Sequence, residues 1–173
     1  MKALLTAGAV AAIGAIVGLS AVTGSVDAAS TPADTSLSSE PTSPGAKVWT
    51  FKEKKVLKLH NKARANAGLG ALASTKALGK AAGTRCTEII SKFSHTRPNG
   101  TTWSTVLAQF GISYSIGGEN IAYGYSTPAS VHKAWMNSSG HRANILRSSF
   151  KNAGVGHCTS SGGTSHWVVL FTG

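Results

Sequence analysis

From Phe51 to Ala67 apolar residues return at helical spacing, at Val56, Leu59, Ala63 and Ala67, with lysines between them. The run stops at Gly68-Leu69-Gly70, which predicts an amphipathic helix with a glycine terminus. A second helix is expected from Ser74, as cap, to about Phe93, because Ala77, Leu78, Ala81, Ala82, Cys86, Ile89 and Ile90 repeat every three to four residues. Arg97-Pro98-Asn99-Gly100 is a turn signal: proline fixes φ, and Asn-Gly tolerates positive φ. A third helix is expected over Thr102–Phe110 and a fourth over Pro128–Asn137, with Thr127 as cap and Pro128 at its first position. Val155–Cys158 and Trp167–Phe171 are short β-branched and aromatic runs between Gly and Ser, and read as strands. Helices first and strands last predict an α+β domain layered around one core.

The ends read differently. Residues 1–28 have the pattern of a secretory signal peptide: Lys2, an apolar run from Ala3 to Leu19, and Val26-Asp27-Ala28 at the cleavage site. The apolar run is near the ~20 residues that span a bilayer, so retention at the membrane by an uncleaved leader is the alternative. Residues 29–46 are rich in Ser, Thr and Pro without apolar periodicity, a linker composition. The folded domain is placed at 47–173. Export makes Cys86 and Cys158, the only cysteines, a candidate disulfide, with two buried thiols as the alternative.

Charge changes the picture. The 173 residues hold 17 Lys plus Arg against 6 Asp plus Glu. The domain carries 16 of those bases, only Lys2 lying before it, against Glu53, Glu88 and Glu119, a balance of +13. Such a field draws polyanions or anionic lipid surfaces. No nucleic-acid recognition motif accompanies it, so a specific nucleic-acid role is not expected. The acids are more telling, since Glu119 is the only one after Glu88. A Ser-His-Asp triad, a paired-carboxylate glycosidase and a carboxylate-rich Ca²⁺ site are all excluded from the C-terminal half.

Acid-base or metal chemistry there is left to Glu119 and histidine. His95 lies between a helix end and the Pro-Asn-Gly turn, His141 follows Ser139-Gly140 after the fourth helix, and His166 begins the last apolar strand. His60, His132 and His157 are assigned to structure. No H-x-x-x-H or C-x-x-C spacing marks a zinc site.

The chain resembles the CAP superfamily of cysteine-rich secretory, antigen 5 and pathogenesis-related proteins, in its compact bacterial form. The resemblance rests on Leu59-His-Asn-Lys-Ala-Arg64, Phe93-Ser-His-Thr-Arg-Pro98, Gly118-Glu-Asn-Ile-Ala122, Trp135-Met-Asn-Ser-Ser-Gly-His-Arg-Ala-Asn-Ile-Leu146, and Gly154-Val-Gly156 followed by His166-Trp-Val-Val-Leu-Phe171. It implies an α-β-α sandwich with a central antiparallel sheet and a cleft of histidines and glutamates. His95 and Glu119 match the first cleft histidine and the Gly-Glu-Asn glutamate. His166 is aligned with the histidine of the larger members' Gly-His-Tyr-Thr-Gln motif, with Ser165 in place of the glycine. His141 belongs to the bacterial Gly-His-Arg motif. A second cleft glutamate has no counterpart.

Two or three imidazoles and a carboxylate in one cleft suit a divalent transition metal such as Zn²⁺. The expected function is a secreted, monomeric binding module for an anionic cell-envelope polymer, a lipid or a host surface. The alternative is a zinc-assisted extracellular hydrolase with His95 and His166 as ligands and Glu119 as general base.

Overall fold

The computed structural model describes residues 2–11 and 50–173. The expected leader beyond Ala11 and the Ser/Thr/Pro-rich stretch lie outside the described residues. The elements are β1 (Ala3–Ala11), α1 (Phe51–Asn66), α2 (Lys76–Ser91), α3 (Thr105–Gln109), β2 (Ile116–Tyr123), α4 (Pro128–Met136), α5 (Ser139–Ile145), β3 (Asn152–Thr159) and β4 (Ser165–Thr172). The strands form one antiparallel sheet in the order β1-β2-β4-β3. No helix among the described residues is long and apolar enough to cross a membrane.

Strand alternation divides the core in two. Trp167, Val169 and Phe171 of β4 face Val56, Val131 and Trp135 from α1 and α4. Val168 and Leu170, one position out of phase, face Leu78, Ala82 and Ile89 of α2. The result is the helix, sheet, helix layering expected. On β3, Gly154 and Gly156 let α2 lie flush on the sheet: a Cβ at either would come within 2.2 Å of the Leu78 or Ala82 carbonyl oxygen. The Cys86–Cys158 disulfide ties α2 to β3 across the same contact.

Capping explains where the helices begin. Thr50 and Glu53 form a reciprocal capping box at α1, and Thr127 and Ser130 do so at α4, with Pro128 in the first turn as expected. The second helix starts one residue later than expected because Thr75, not Ser74, accepts the Leu78 N–H. The third is shorter than its pattern, five residues from Thr105.

On α1, Val56, His60 and Arg64 form the buried stripe. His60 Nδ1 lies 2.9 Å from His132 Nδ1 of α4, so one ring donates and the other accepts, and the pair has no room for a proton on both. Burial, then the charges of His132 and Arg64, hold His60 well below its ordinary 6.5, and burial lowers His132. The unfolded chain therefore takes up protons that the folded domain refuses. Stability is expected to be level from about pH 8 to 7 and to fall below about pH 6.5, at up to about 1.4 kcal/mol per pH unit for each histidine. Urea unfolding midpoints across that range test this. His132→Gln, which keeps a hydrogen-bonding group without titrating, should flatten the fall; an unchanged profile would assign the acid limb to other groups.

Candidate functional site

The site grows from one consequence of strand geometry: consecutive residues of β2 point to opposite faces. Glu119 points toward α2 and Asn120 toward α5. Beneath Glu119, Arg85 of α2 donates from Nε to Oε1 at 2.8 Å and from Nη2 to Oε2 at 3.3 Å, and both side chains are fully buried. His95, just past the end of α2, reaches Glu119 Oε2 through Nδ1 at 2.6 Å. A carboxylate oxygen accepts, so Nδ1 carries a proton and donates it to Glu119.

Arg85 also donates to Glu88 Oε2 at 2.7 Å and to the Ser94 carbonyl at 2.9 Å. Glu88 in turn receives Arg97 through Nε at 3.0 Å and Nη2 at 2.6 Å. Two carboxylates and two guanidiniums thus alternate around the segment that carries His95. Partial burial would raise Glu88, but hydrogen bonds from Arg97 and Arg85 outweigh it and lower its pKa. Burial likewise opposes the charge on Arg85, and its bonds to Glu119 and Glu88 reverse that, leaving its pKa raised.

On the other face Asn120 donates to the His141 carbonyl at 3.1 Å, and Asn144 donates to Asn120 Oδ1 at 2.9 Å, fixing α5 to β2. His141 Nδ1 meets Ser138 Oγ at 2.7 Å. Ser138 precedes α5 yet makes no side-chain capping bond to the helix. Burial lowers the His141 pKa; the Leu5 backbone opposes this, and the His95 charge adds to the lowering. His141 and His95 are thus near enough to repel as cations. Among the described residues, the buried Nε2 of His95 has no hydrogen-bond partner.

Of the residues singled out in the sequence, Glu119 and His95 are bonded, and His141 stands beside them. His166 is elsewhere. It is opposite Tyr123 on β4, whereas Glu119 is opposite Leu170. Four residues along a strand amount to about 13 Å, so the aligned position of His166 does not bring it to Glu119. The residues missed are Arg85, Asn120, Ser138 and Asn144. Arg85 had a signal, since it falls on the buried stripe Leu78, Ala82, Arg85, Ile89 of an otherwise apolar face.

Two imidazole nitrogens are one fewer than the three protein ligands of a catalytic zinc centre. Among the described residues no group of three or more His, Cys, Asp and Glu is placed to hold a metal.

An antiparallel sheet between two helical layers, with the Glu119–His95 pair at the end of α2, defines an α-β-α sandwich of the SCP-domain type. The model of the cysteine-rich secretory protein (CAP) family matches residues 57–171, and the chain belongs to that family. YkwD, an uncharacterized protein of Bacillus subtilis (strain 168), is 42% identical over 123 residues, which make up 70% of this chain and 47% of YkwD. The chain spans about half or less of the curated relatives it matches. An extracellular SCP-domain protein of Bacillus anthracis str. Ames superposes with a TM-score of 0.64 at 26% identity, over 70% of this chain and 40% of that one. An outer surface protein of Borrelia burgdorferi also gives 0.64, at 23% identity, over 72% of this chain and 95% of that one.

Proposed function

We propose that this is a secreted binding module that holds anionic polymers or headgroups of a cell envelope or host surface on its basic face. One observation carries the choice of binding over hydrolysis. Both oxygens of Glu119, the last Asp or Glu in the sequence, are engaged by Arg85 and His95 away from solvent, so Glu119 is not free to act as general base. Against the zinc-assisted hydrolase stands the separation of His166 from Glu119 along the sheet.

The basic face has a definite place. Lys54, Lys55, Lys58 and Lys62 are exposed on α1, opposite the buried Val56, His60, Arg64 stripe. Lys54, Lys58 and Lys62 follow one another at about 6 Å along the helix, a row suited to successive negative charges. Export is supported by the disulfide and by the extracellular description of the structural relative at 26% identity, while Ala3–Ala11 of the leader pattern is paired in the sheet as β1.

The test is retention on isolated cell walls and on anionic vesicles. Binding at low salt should be released by about 1 M salt, where the Debye length is about 3 Å. The triple variant K54E/K58E/K62E should elute at clearly lower salt than the parent. Protein that washes off both surfaces at low salt, or a variant that elutes with the parent, overturns the proposal.

A further inference from the structure

His166, left out of the Glu119 site, lines a cleft of about 450 Å³ together with Ile90, Phe93, Tyr123, Ser160 and Thr164. That size is in the range of small-molecule sites. One wall is the end of α2 and the other is the β3–β4 hairpin, and the Cys86–Cys158 disulfide joins them. Cys158 is itself the cross-strand partner of His166. Three rings stand in a row: Phe93 meets Tyr123 edge to face at 4.7 Å, and Tyr123 stacks on His166 at 5.7 Å.

The polar groups around these rings are fixed by the hairpin turn. His166 Nδ1 is 3.0 Å from the Thr164 carbonyl; a carbonyl only accepts, so Nδ1 bears a proton, and Nε2 is the ring nitrogen left to meet a ligand. Ser160 Oγ accepts the Thr164 N–H at 3.2 Å, which leaves its own O–H to donate. No Lys, Arg, Asp or Glu lines the cleft. A second groove of about 290 Å³, lined by Gly124, Ser126, Gly163 and Ser165, shares Thr164 and continues the surface.

Aromatic faces, hydroxyl donors, an imidazole nitrogen and a lining without Lys, Arg, Asp or Glu match a sugar ring, which has apolar C–H faces and an edge of hydroxyls that donate and accept. An anion would find no cation here, and a fatty chain would leave the rim hydroxyls facing hydrocarbon. We propose that this cleft is a carbohydrate site taking one ring of an uncharged oligosaccharide against Phe93 and Tyr123, with the next ring in the groove at Ser126 and Ser165. The proposal is independent of the basic face and of the Glu119 site.

The test is an NMR titration of the full chain with the N-acetylglucosamine trimer and, separately, with maltotriose, at about 1 M salt to suppress charge-driven contact. Saturable shifts confined to Phe93, Tyr123, Thr164 and His166 are expected with at least one trisaccharide, and the arm that saturates tells N-acetylated from plain sugar. Tyr123→Ala should weaken the affinity about tenfold through loss of the ring contact. Should that variant fail to fold, the shift map of the parent protein decides alone. No saturation with either trisaccharide, shifts outside the cleft, an unaltered affinity in folded Tyr123→Ala, or saturation by dodecanoate in place of sugar would overturn the assignment.

Discussion

Replacing Glu119 by alanine lowers the stability of the domain by about 3–5 kcal/mol, the usual cost of removing one partner from a buried ion pair. The guanidinium of Arg85 is fully buried, and Glu119 takes two of its N–H groups. Without the carboxylate the charge keeps only Glu88 and the Ser94 carbonyl, and the His95 Nδ1–H loses its acceptor. Glu119→Gln keeps the volume and one acceptor, and should cost less than alanine. The double variant Glu119→Leu with Arg85→Met removes both charges together and should recover most of the loss, since apolar groups of similar size replace buried pairs at little cost. Urea unfolding of the three variants measures these differences. A loss below about 1 kcal/mol for Glu119→Ala, or a double variant no more stable than it, would show that the pair does not carry the end of α2. Because the groups are buried, the loss should hardly change with salt.

Which parts of this arrangement could be read from the chain follows from what each element buries. The first two helices and the fourth were legible because each buries one face, which leaves a helical period in the sequence. Strand β2 was not: Gly117 to Ala122 is buried on both faces, so the alternation that marks a half-buried strand is missing. Helix α5, Ser-Gly-His-Arg-Ala-Asn-Ile, carries too few apolar residues to show a period; Asn144 and the His141 carbonyl hold it to the sheet instead. Glu119 stood out as the last acid, yet the reason for its isolation is visible only in three dimensions. Its partner lies 34 residues earlier, the charged member of an otherwise apolar stripe on α2. His166 shows the opposite limit. Motif order placed it in the cleft, but strand rise carries it away from Glu119 and into a different one.

The scarcity of acids has a second consequence at Arg64, and Arg64→Met is expected to cost about 3–5 kcal/mol. This guanidinium is 1% exposed, and the hydrogen bonds it makes are to main-chain carbonyls. Nε donates to Gly70 at 2.8 Å, Nη1 to Ile145 at 2.9 Å and Arg147 at 2.8 Å, and Nη2 to Phe150 at 3.1 Å. Ile145 ends α5, so the charge sits where the helix dipole is negative and terminal carbonyls need donors. Burial lowers the Arg64 pKa, yet a guanidinium begins so high that it keeps its proton. Methionine preserves much of the volume and strips the donors from four carbonyls, each worth about 1–3 kcal/mol when left unmet in the interior. Arg64→Lys should restore only part, because an ammonium lacks the planar fork that spans Gly70, Ile145 and Phe150 at once. A second readout separates charge from packing. Arg64 is one of the charges that depress His60, so in Arg64→Met the His60 pKa should rise toward its ordinary value and the loss of stability on acidification should shrink. Urea midpoints at neutral and mildly acidic pH measure both effects. A cost below about 1 kcal/mol would mean that the carbonyls find other donors and that the guanidinium is not what closes α5 onto α1.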